Sequence, residues 1–272
     1  MTPPRAAVVV PVGPSVPAEF VDDTLASVER LGVPTTLVVV NDSDRSRWPA
    51  STVVVPAPVG APGGQGGLFV KLGAGIRRAL ADDWDVLLRL DTDALVLRSG
   101  LVSSAVSRFA ADPSLGLLGA VRVGPDGGAR SFGPARALLR AEAGWRGLRR
   151  PAVRRAVRAL PRDGVHGLGG AYVLSRRCAS ALDAAGWLSC AALAGSRAGE
   201  DHLMGAAVRA CGFSLGEFSR PGDPLAVRWV GLPASPASVW ESGAAVTHSV
   251  RSWGSLGEAD VRAQFRALAP VG

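Results

Sequence analysis

Much that a chain of 272 residues could carry is missing here. No apolar run approaches the roughly 20 residues that span a bilayer. The opening Met1-Thr2-Pro3-Pro4-Arg5 leads into a short apolar stretch that Pro11 interrupts, without the hydrophobic core of a signal peptide. There are only three cysteines, Cys178, Cys190 and Cys211, odd in number and too widely spaced for metal-type pairing. That excludes a disulfide framework; reduced thiols acting as core filler, in a cytoplasmic protein, are the expectation. Lysine is almost absent, with Lys71 as the only one. Neither G-x-G-x-x-G after a first strand nor G-x-x-x-x-G-K-[ST] occurs, so the dinucleotide and P-loop fingerprints are excluded.

What is present is an apolar, arginine-rich chain. Hydrophobic residues make up 47%, ample for a substantial core, and the formal net charge of +7 favours anionic partners without choosing among them. Ala6 to Val12 reads as a buried strand, Pro17 to Leu31 as a helix closed by Gly32, Thr35 to Val40 as a second strand and Ser51 to Val55 as a third. After a loop over 56–67, whose Gly63-Gly64-Gln65-Gly66-Gly67 forms a flexible tip, a helix from Leu68 to Ala81 carries Lys71. Strands alternating with helices predict an α/β fold with a mostly parallel central sheet flanked by helices.

The run Asp85 to Leu90 ends abruptly in Asp91-Thr92-Asp93. A buried strand that delivers two carboxylates to its carboxyl end points to a hard divalent cation, because like charges this close are costly unless a cation joins them. The alternative is a strand end with a solvated acidic turn. Further strands are expected over Leu115 to Val123, Gly167 to Ser175, Ala226 to Val230 and Val246 to Val250, and helices over Ser99 to Ala111, Leu203 to Cys211 and Leu256 to Leu268. Glu200 and Asp201 open one of these helices, where the macrodipole alone favours carboxylates. Between Arg130 and Arg162, ten arginines face Glu142 as their one acidic neighbour. Two basic amphipathic helices are expected there, either a solvated face or a docking surface for an anionic acceptor, polymer or membrane.

Taken in order, the first strand, the acidic turn after the second, Leu90-Asp91-Thr92-Asp93, the Gly-Gly strand, Gly199-Glu200-Asp201-His202-Leu203 and the late His248 resemble a GT-A-fold glycosyltransferase of the family 2 type. The resemblance covers about Ala6 to His248. It implies one catalytic domain over residues 1–272, with 130–162 as a lid or acceptor-binding insertion. It also implies transfer of a sugar from a nucleotide-diphosphate donor, a UDP-sugar by preference, to an acceptor of unknown identity that the charge suggests is anionic.

The same resemblance implies Mn²⁺ or Mg²⁺ as cofactor, held by Asp93, Asp91 and His248. Asp91 would touch the metal or the ribose. Asp201 would be the base of an inverting reaction, with Glu200 orienting it or bonding the acceptor. Pro11, Val12 and Asp42 would line the nucleoside pocket, and Lys71 would contact the diphosphate. The chain departs from the family pattern at Asn41-Asp42-Ser43-Asp44 and at Lys71-Leu72-Gly73-Ala74-Gly75. Other readings are a retaining GT-A transferase, a sugar-nucleotide nucleotidyltransferase, and a non-catalytic arginine-rich anion-binding module. Nucleic acid is disfavoured, since only Phe132 and Trp145 accompany the arginines. Peripheral membrane contact and oligomeric state stay open.

Overall fold

Val8, Val9 and Val10 are adjacent in sequence, yet all three are completely buried. That is possible only in a strand covered on both faces, the hallmark of a parallel sheet between helical layers. The computed structural model, which describes residues 3–58, 65–132, 137, 140–141 and 151–268, has that arrangement. The first half contains β1 (Ala6–Val12), α1 (Ala18–Ser27), β2 (Thr35–Asn41), β3 (Thr52–Pro56), α2 (Gln65–Ala79), β4 (Val86–Leu90), β5 (Ala94–Val96), α3 (Leu101–Ala111) and β6 (Leu115–Gly119). There follow α4 (Pro151–Ala159), β7 (Ala171–Ser175), α5 (Arg176–Ala184), α6 (Glu200–Ala210), β8 (Ser214–Glu217), β9 (Leu225–Val227), α7 (Pro236–Glu241), β10 (Val246–His248) and α8 (Glu258–Leu268).

The central sheet has seven strands in the order β3-β2-β1-β4-β7-β6-β8. Every neighbouring pair is parallel except those made by β7, which runs against both β4 and β6. The fold is therefore α/β with a mostly parallel sheet flanked by helices. Alternate residues of β1 feed opposite layers: Ala7 and Val9 join α2, α4, α5 and α6 in one core, while Ala6, Val8, Val10 and Val12 join α1 and α3 in the other. A smaller three-stranded sheet, β5-β10-β9, packs with α7 and α8 around a third core that includes Leu95, Val239 and Phe265. Cys178 is buried and its thiol is pushed up by burial, in keeping with a filler role.

Several boundaries differ from the sequence reading. Helix α2 begins at Gln65, so Gly66 and Gly67 are helical rather than part of a mobile tip. At Gly66 the helix runs against backbone: a Cβ there would lie 2.2 Å from the Leu193 carbonyl oxygen. Strand β9 stops at Val227, which leaves Arg228, Trp229 and Val230 exposed. Strand β8 and helix α7, whose N-cap is Ser235, were not anticipated. Of the arginine-rich segment 130–162, positions 133–136, 138–139 and 142–150 lie outside the described residues, as does 59–64, which includes Gly63 and Gly64. In its described part, α4 buries Val153 and Ala156 and exposes Arg154, Arg155 and Arg158.

Gly73, in α2, gives a test of this packing. A Cβ there would stand 2.3 Å from the Leu188 carbonyl oxygen. Alanine normally improves a helix interior by about 1 kcal/mol over glycine, but overpacking against backbone costs about 1–3 kcal/mol. Gly73→Ala should therefore lower the urea midpoint with an unchanged slope. Gly13→Ala, with nothing within 4 Å of the new Cβ, should leave the midpoint unchanged.

Candidate functional site

Strands β2, β1 and β4 lie side by side and parallel, so their carboxyl ends share one edge of the sheet, where open α/β sheets bind ligands. The turn Asp91-Thr92-Asp93 is clamped at that edge through its own backbone groups by four distant segments. The Asp91 N–H donates to the Gly170 carbonyl at 2.8 Å and the Val250 N–H donates to the Asp93 carbonyl at 2.9 Å. The Thr92 carbonyl accepts from the Thr24 hydroxyl at 2.8 Å and from the Arg262 guanidinium at 2.6 Å. His248 arrives because β10 pairs antiparallel with β5, setting it opposite Ala94, the residue after Asp93.

The donor orientations in this group are complementary. One oxygen of each carboxylate is pinned by the protein: Asp91 Oδ1 by Arg89 at 2.8 Å, and Asp93 Oδ2 by the Ser249 hydroxyl and Arg251 Nε, both at 2.7 Å. The other oxygens face one imidazole nitrogen, His248 Nε2, at 3.8 Å from Asp91 Oδ2 and 3.2 Å from Asp93 Oδ1. His248 Nδ1 donates to the Arg228 carbonyl at 2.7 Å. A carbonyl only accepts, so Nδ1 carries a proton and Nε2 is the ring nitrogen turned towards those oxygens. Buried Asp93 Oδ1 has no hydrogen-bond partner among the described residues. Lone pairs converging in this way call for a proton or a cation, and the mixed oxygen and imidazole set suits a divalent metal. One ligand atom from each of Asp91, Asp93 and His248 falls within 4.8 Å of the others. Burial pushes the Asp93 carboxyl up, but His248, Ser249 and Arg251 hold it well below the usual carboxylate range.

Arg89 connects this group to the second acidic pair. It lies inside apolar β4, 1% exposed, and its Nη2 contacts Asp91 Oδ1 at 2.8 Å and Glu200 Oε2 at 3.4 Å. Tyr172 donates its hydroxyl to Glu200 Oε1 at 2.8 Å. Burial lowers the Arg89 pKa, but Asp91 and Glu200 outweigh it and the net shift is upward. For Glu200 burial prevails over the Arg89 charge, with Asp201 and Asp91 adding to it, and the carboxyl is pushed up to about 7.

Asp201, the next residue, has a different environment. Its Oδ1 accepts from the backbone N–H and Nδ1 of His202, both at 2.8 Å. Its Oδ2 accepts from the Gly169 N–H at 3.4 Å and lies 3.4 Å from His166 Nε2. Burial pushes this carboxyl up, yet His166 and His202 hold it well below the usual range. Asp201, His166, His202, Arg130 and Arg228 line a cavity of about 630 Å³. Gly169 and Gly170 join the two halves, with Asp201 against the first and His248 against the second. Gly170 has φ +94, and a Cβ there would fall 2.3 Å from His248 Nδ1, so only glycine fits.

On the β1–β2 side, Pro11 and Val12 are buried at the end of β1, and the Asp42 N–H donates to the Val12 carbonyl at 2.9 Å. Lys71 ion-pairs with Asp42 and is 8% exposed, so it is not a solvated helix residue. The structure thus gathers Asp91, Asp93 and His248 into one group, Glu200 and Asp201 beside it, and Asp42 with Lys71 at the neighbouring strand ends. Sequence reasoning passed over Arg89, Tyr172, His166, Ser249 and Arg251. Arg89 had a visible signal, a charge inside the buried run Val86-Leu87-Leu88-Arg89-Leu90; the others had none.

No known protein family matches the chain, and no curated protein does. Among solved structures it is similar to glucosyl-3-phosphoglycerate synthase from Mycobacterium tuberculosis. One of these, in complex with Mn²⁺, UDP-glucose and phosphoglyceric acid, is 19% identical with a TM-score of 0.34, over 64% of this chain and 57% of that one. A second, in complex with UDP, is 18% identical with a TM-score of 0.35, over 64% and 58%. The chain thus spans less than two thirds of those proteins, and likeness at this level assigns no reaction.

Glu200 makes the stability of the site depend on pH. Its folded value of about 7 lies above the reference of 4.5, so the buried neutral form is favoured. This contribution is fully present below about pH 4.5 and is lost as pH rises through about 7, a difference on the order of 3 kcal/mol. Urea unfolding at about pH 5 and about pH 8 should show wild type losing stability relative to Glu200→Gln. A difference that stays constant would mean Glu200 is ionised throughout.

Proposed function

We propose that the chain is a GT-A-type, metal-dependent glycosyltransferase that moves a sugar from a nucleotide-diphosphate donor, a UDP-sugar by preference, to an acceptor nucleophile with inversion. The observation that carries this reading is the convergence of one oxygen each from Asp91 and Asp93 on Nε2 of His248, at the carboxyl edge of the sheet. Asp91, Asp93 and His248 would hold Mn²⁺ or Mg²⁺. When bound, such an ion supplies electrostatic stabilisation for the charge that develops on a diphosphate leaving group.

The chain's own residues do the rest. Arg89, Ser249 and Arg251 fix the two ligand carboxylates so that little reorganisation is needed on binding. Pro11, Val12 and Asp42 would line the nucleoside site, and Lys71 holds Asp42 while bringing positive charge to the diphosphate side. Asp201, on the cavity wall, would receive the acceptor's proton. A carboxylate held this far below the usual range is a weak base by itself. Asp201 Oδ2 and His166 Nε2, 3.4 Å apart, form a pair that can share the proton. Glu200 faces inward, bonded to Tyr172 and Arg89, which supports an orienting role rather than contact with the acceptor. The whole chain, residues 1–272, would act as one catalytic domain.

Thermal melting with a panel of nucleotide-sugars, with and without Mn²⁺, should show metal-dependent stabilisation by one nucleotide series. Asp93→Ala should remove the metal-dependent part and cut transfer about 100-fold or more while the protein stays folded. Retained turnover in that variant would sink the metal role. Asp201→Asn should lose transfer but keep the donor-induced shift. An NMR spectrum of the product showing retained anomeric configuration would replace the inverting reading with a retaining one.

A further inference from the structure

The cavity beside Asp201 is lined by two aspartates, Asp126 and Asp201, and two arginines, Arg130 and Arg228, and among the described residues neither arginine ion-pairs with either aspartate. Its acidic members are already engaged: Asp126 accepts the Gly128 N–H at 2.9 Å, and Asp201 is surrounded by His202, Gly169 and His166. Arg130 is not matched in the same way. Its guanidinium bonds to the backbone carbonyls of Ala120, Val121 and His166, and to the His166 ring at 3.3 Å. Among the described residues no carboxylate lies within ion-pair distance of it. Partial burial lowers its pKa, with Asp201 and Glu217 opposing from farther off. A guanidinium held mainly by backbone carbonyls keeps its charge available for an anion, which its planar fork suits.

Arg228 is a second cation lining the cavity. Its backbone is fixed at the junction of the two halves: its N–H donates to the His248 carbonyl at 2.6 Å and its carbonyl accepts from His248 Nδ1 at 2.7 Å. Its side chain is exposed, without a hydrogen-bond or ion-pair partner among the described residues. Next to it Trp229, also on the cavity wall, is 79% exposed, and Val230 is 66% exposed. An exposed indole beside a guanidinium at the mouth of a cavity of about 630 Å³ offers an apolar platform for a small molecule's carbon frame and a charge for its head group.

A metal at His166, Asp201 and His202, whose ligand atoms lie within 4.8 Å of one another, is disfavoured. The two imidazoles stack with centroids 3.7 Å apart and planes at 30°, so their in-plane lone pairs do not converge on one point. A cation there would also face the Arg130 guanidinium.

We propose that this cavity is the acceptor subsite and that it takes an acceptor bearing a carboxylate or phosphate group, held by Arg130 and Arg228 with Trp229 against its carbon frame. This rests on the transferase reading above and names its acceptor class. The anionic group docks between the two guanidinium groups and leaves a hydroxyl free to face Asp201.

The test uses inorganic phosphate and acetate as probes, with chloride at matched ionic strength as control, followed through the Arg Nε–H and Trp indole N–H resonances of the full chain. Phosphate or acetate should shift the Arg228 and Trp229 signals saturably where chloride does not, and which of the two binds tighter distinguishes a phosphate from a carboxylate acceptor. Arg228→Ala should weaken that binding at least tenfold, and Arg228→Glu should abolish it. Arg130→Met should weaken it too; should that variant fail to fold, the Arg228 pair decides, since Arg228 is exposed. An equal response to chloride, or wild-type affinity in Arg228→Ala, overturns the inference. Selective anion binding without any nucleotide-sugar stabilisation would sink the transferase reading and leave the anion site standing. Nucleotide-sugar stabilisation without selective anion binding would sink the anion site alone.

Discussion

The buried guanidinium of Arg89 is the contact on which the candidate site depends. It bridges the carboxylate that ends β4 to the one that opens α6, two groups 109 positions apart in the chain. Burying Arg89 with Glu200, and with Asp91 partly buried beside them, is expensive, and burial of such groups is weak evidence for stability. What the arrangement gives is position. With Asp91 Oδ1 occupied by Arg89, only Oδ2 is left to face His248, and with Glu200 occupied by Arg89 and Tyr172, the helix start is held so that Asp201 turns towards the cavity. Arg89 Nε and Nη1 have no hydrogen-bond partner among the described residues. An under-satisfied guanidinium in an apolar strand is a local cost that packing alone would not have selected.

Gly169 and Gly170 impose the second constraint. Gly169 places its N–H towards Asp201, and Gly170, in a left-handed conformation, lets the His248 ring lie directly against backbone. The separation between the metal-type group and Asp201 is therefore set by one dipeptide and one guanidinium. Both belong to the β4–β7 antiparallel pair, since Gly170 immediately precedes β7, Arg89 lies opposite Tyr172 and Leu90 opposite Ala171. The strand that breaks the parallel order of the sheet is thus also the strand that fixes the geometry of the site.

The fold was legible in the sequence wherever burial was two-sided. The runs that became β1, β2, β4 and β7 are predominantly apolar segments, β4 with Arg89 inside it, and their limits come within a few residues of the expected ones. Short elements escaped: β8, Ser214–Glu217, mixes a glycine and a glutamate into four residues, and α7 is a six-residue helix opened by a Ser-Pro pair that reads equally well as loop. At the site, the acidic residues and His248 could be named because side chains at strand ends and helix starts leave a pattern. Their partners could not. Ser249, Arg251, His166 and Tyr172 are joined to the acidic groups by tertiary contacts across tens of positions or more, and a single sequence has no periodicity for contacts of that kind. Only Arg89 broke a local rule, and a charge inside a buried strand is the kind of local conflict that marks a functional or strained position.

The small sheet explains why the site draws on the whole chain. His248 meets Asp93 because β10 adds to β5, and Arg228 lies next to His248 because β9 adds to β10 in register, Val227 opposite His248. Arg262, buried in α8, reaches back to Asp23, Glu258 and the Thr92 carbonyl, tying the last helix to α1 and to the middle of the acidic turn. The carboxylates of the site each have a cationic or imidazole neighbour from another segment: Asp42 has Lys71, Asp91 and Glu200 share Arg89, Asp93 has Arg251 and His248, and Asp201 has His166 and His202. Part of the net positive charge is thus spent inside the fold as counter-charge for a dense acidic site. Arg130 and Arg228 are left out of that pairing, and both line the cavity that Asp201 also lines.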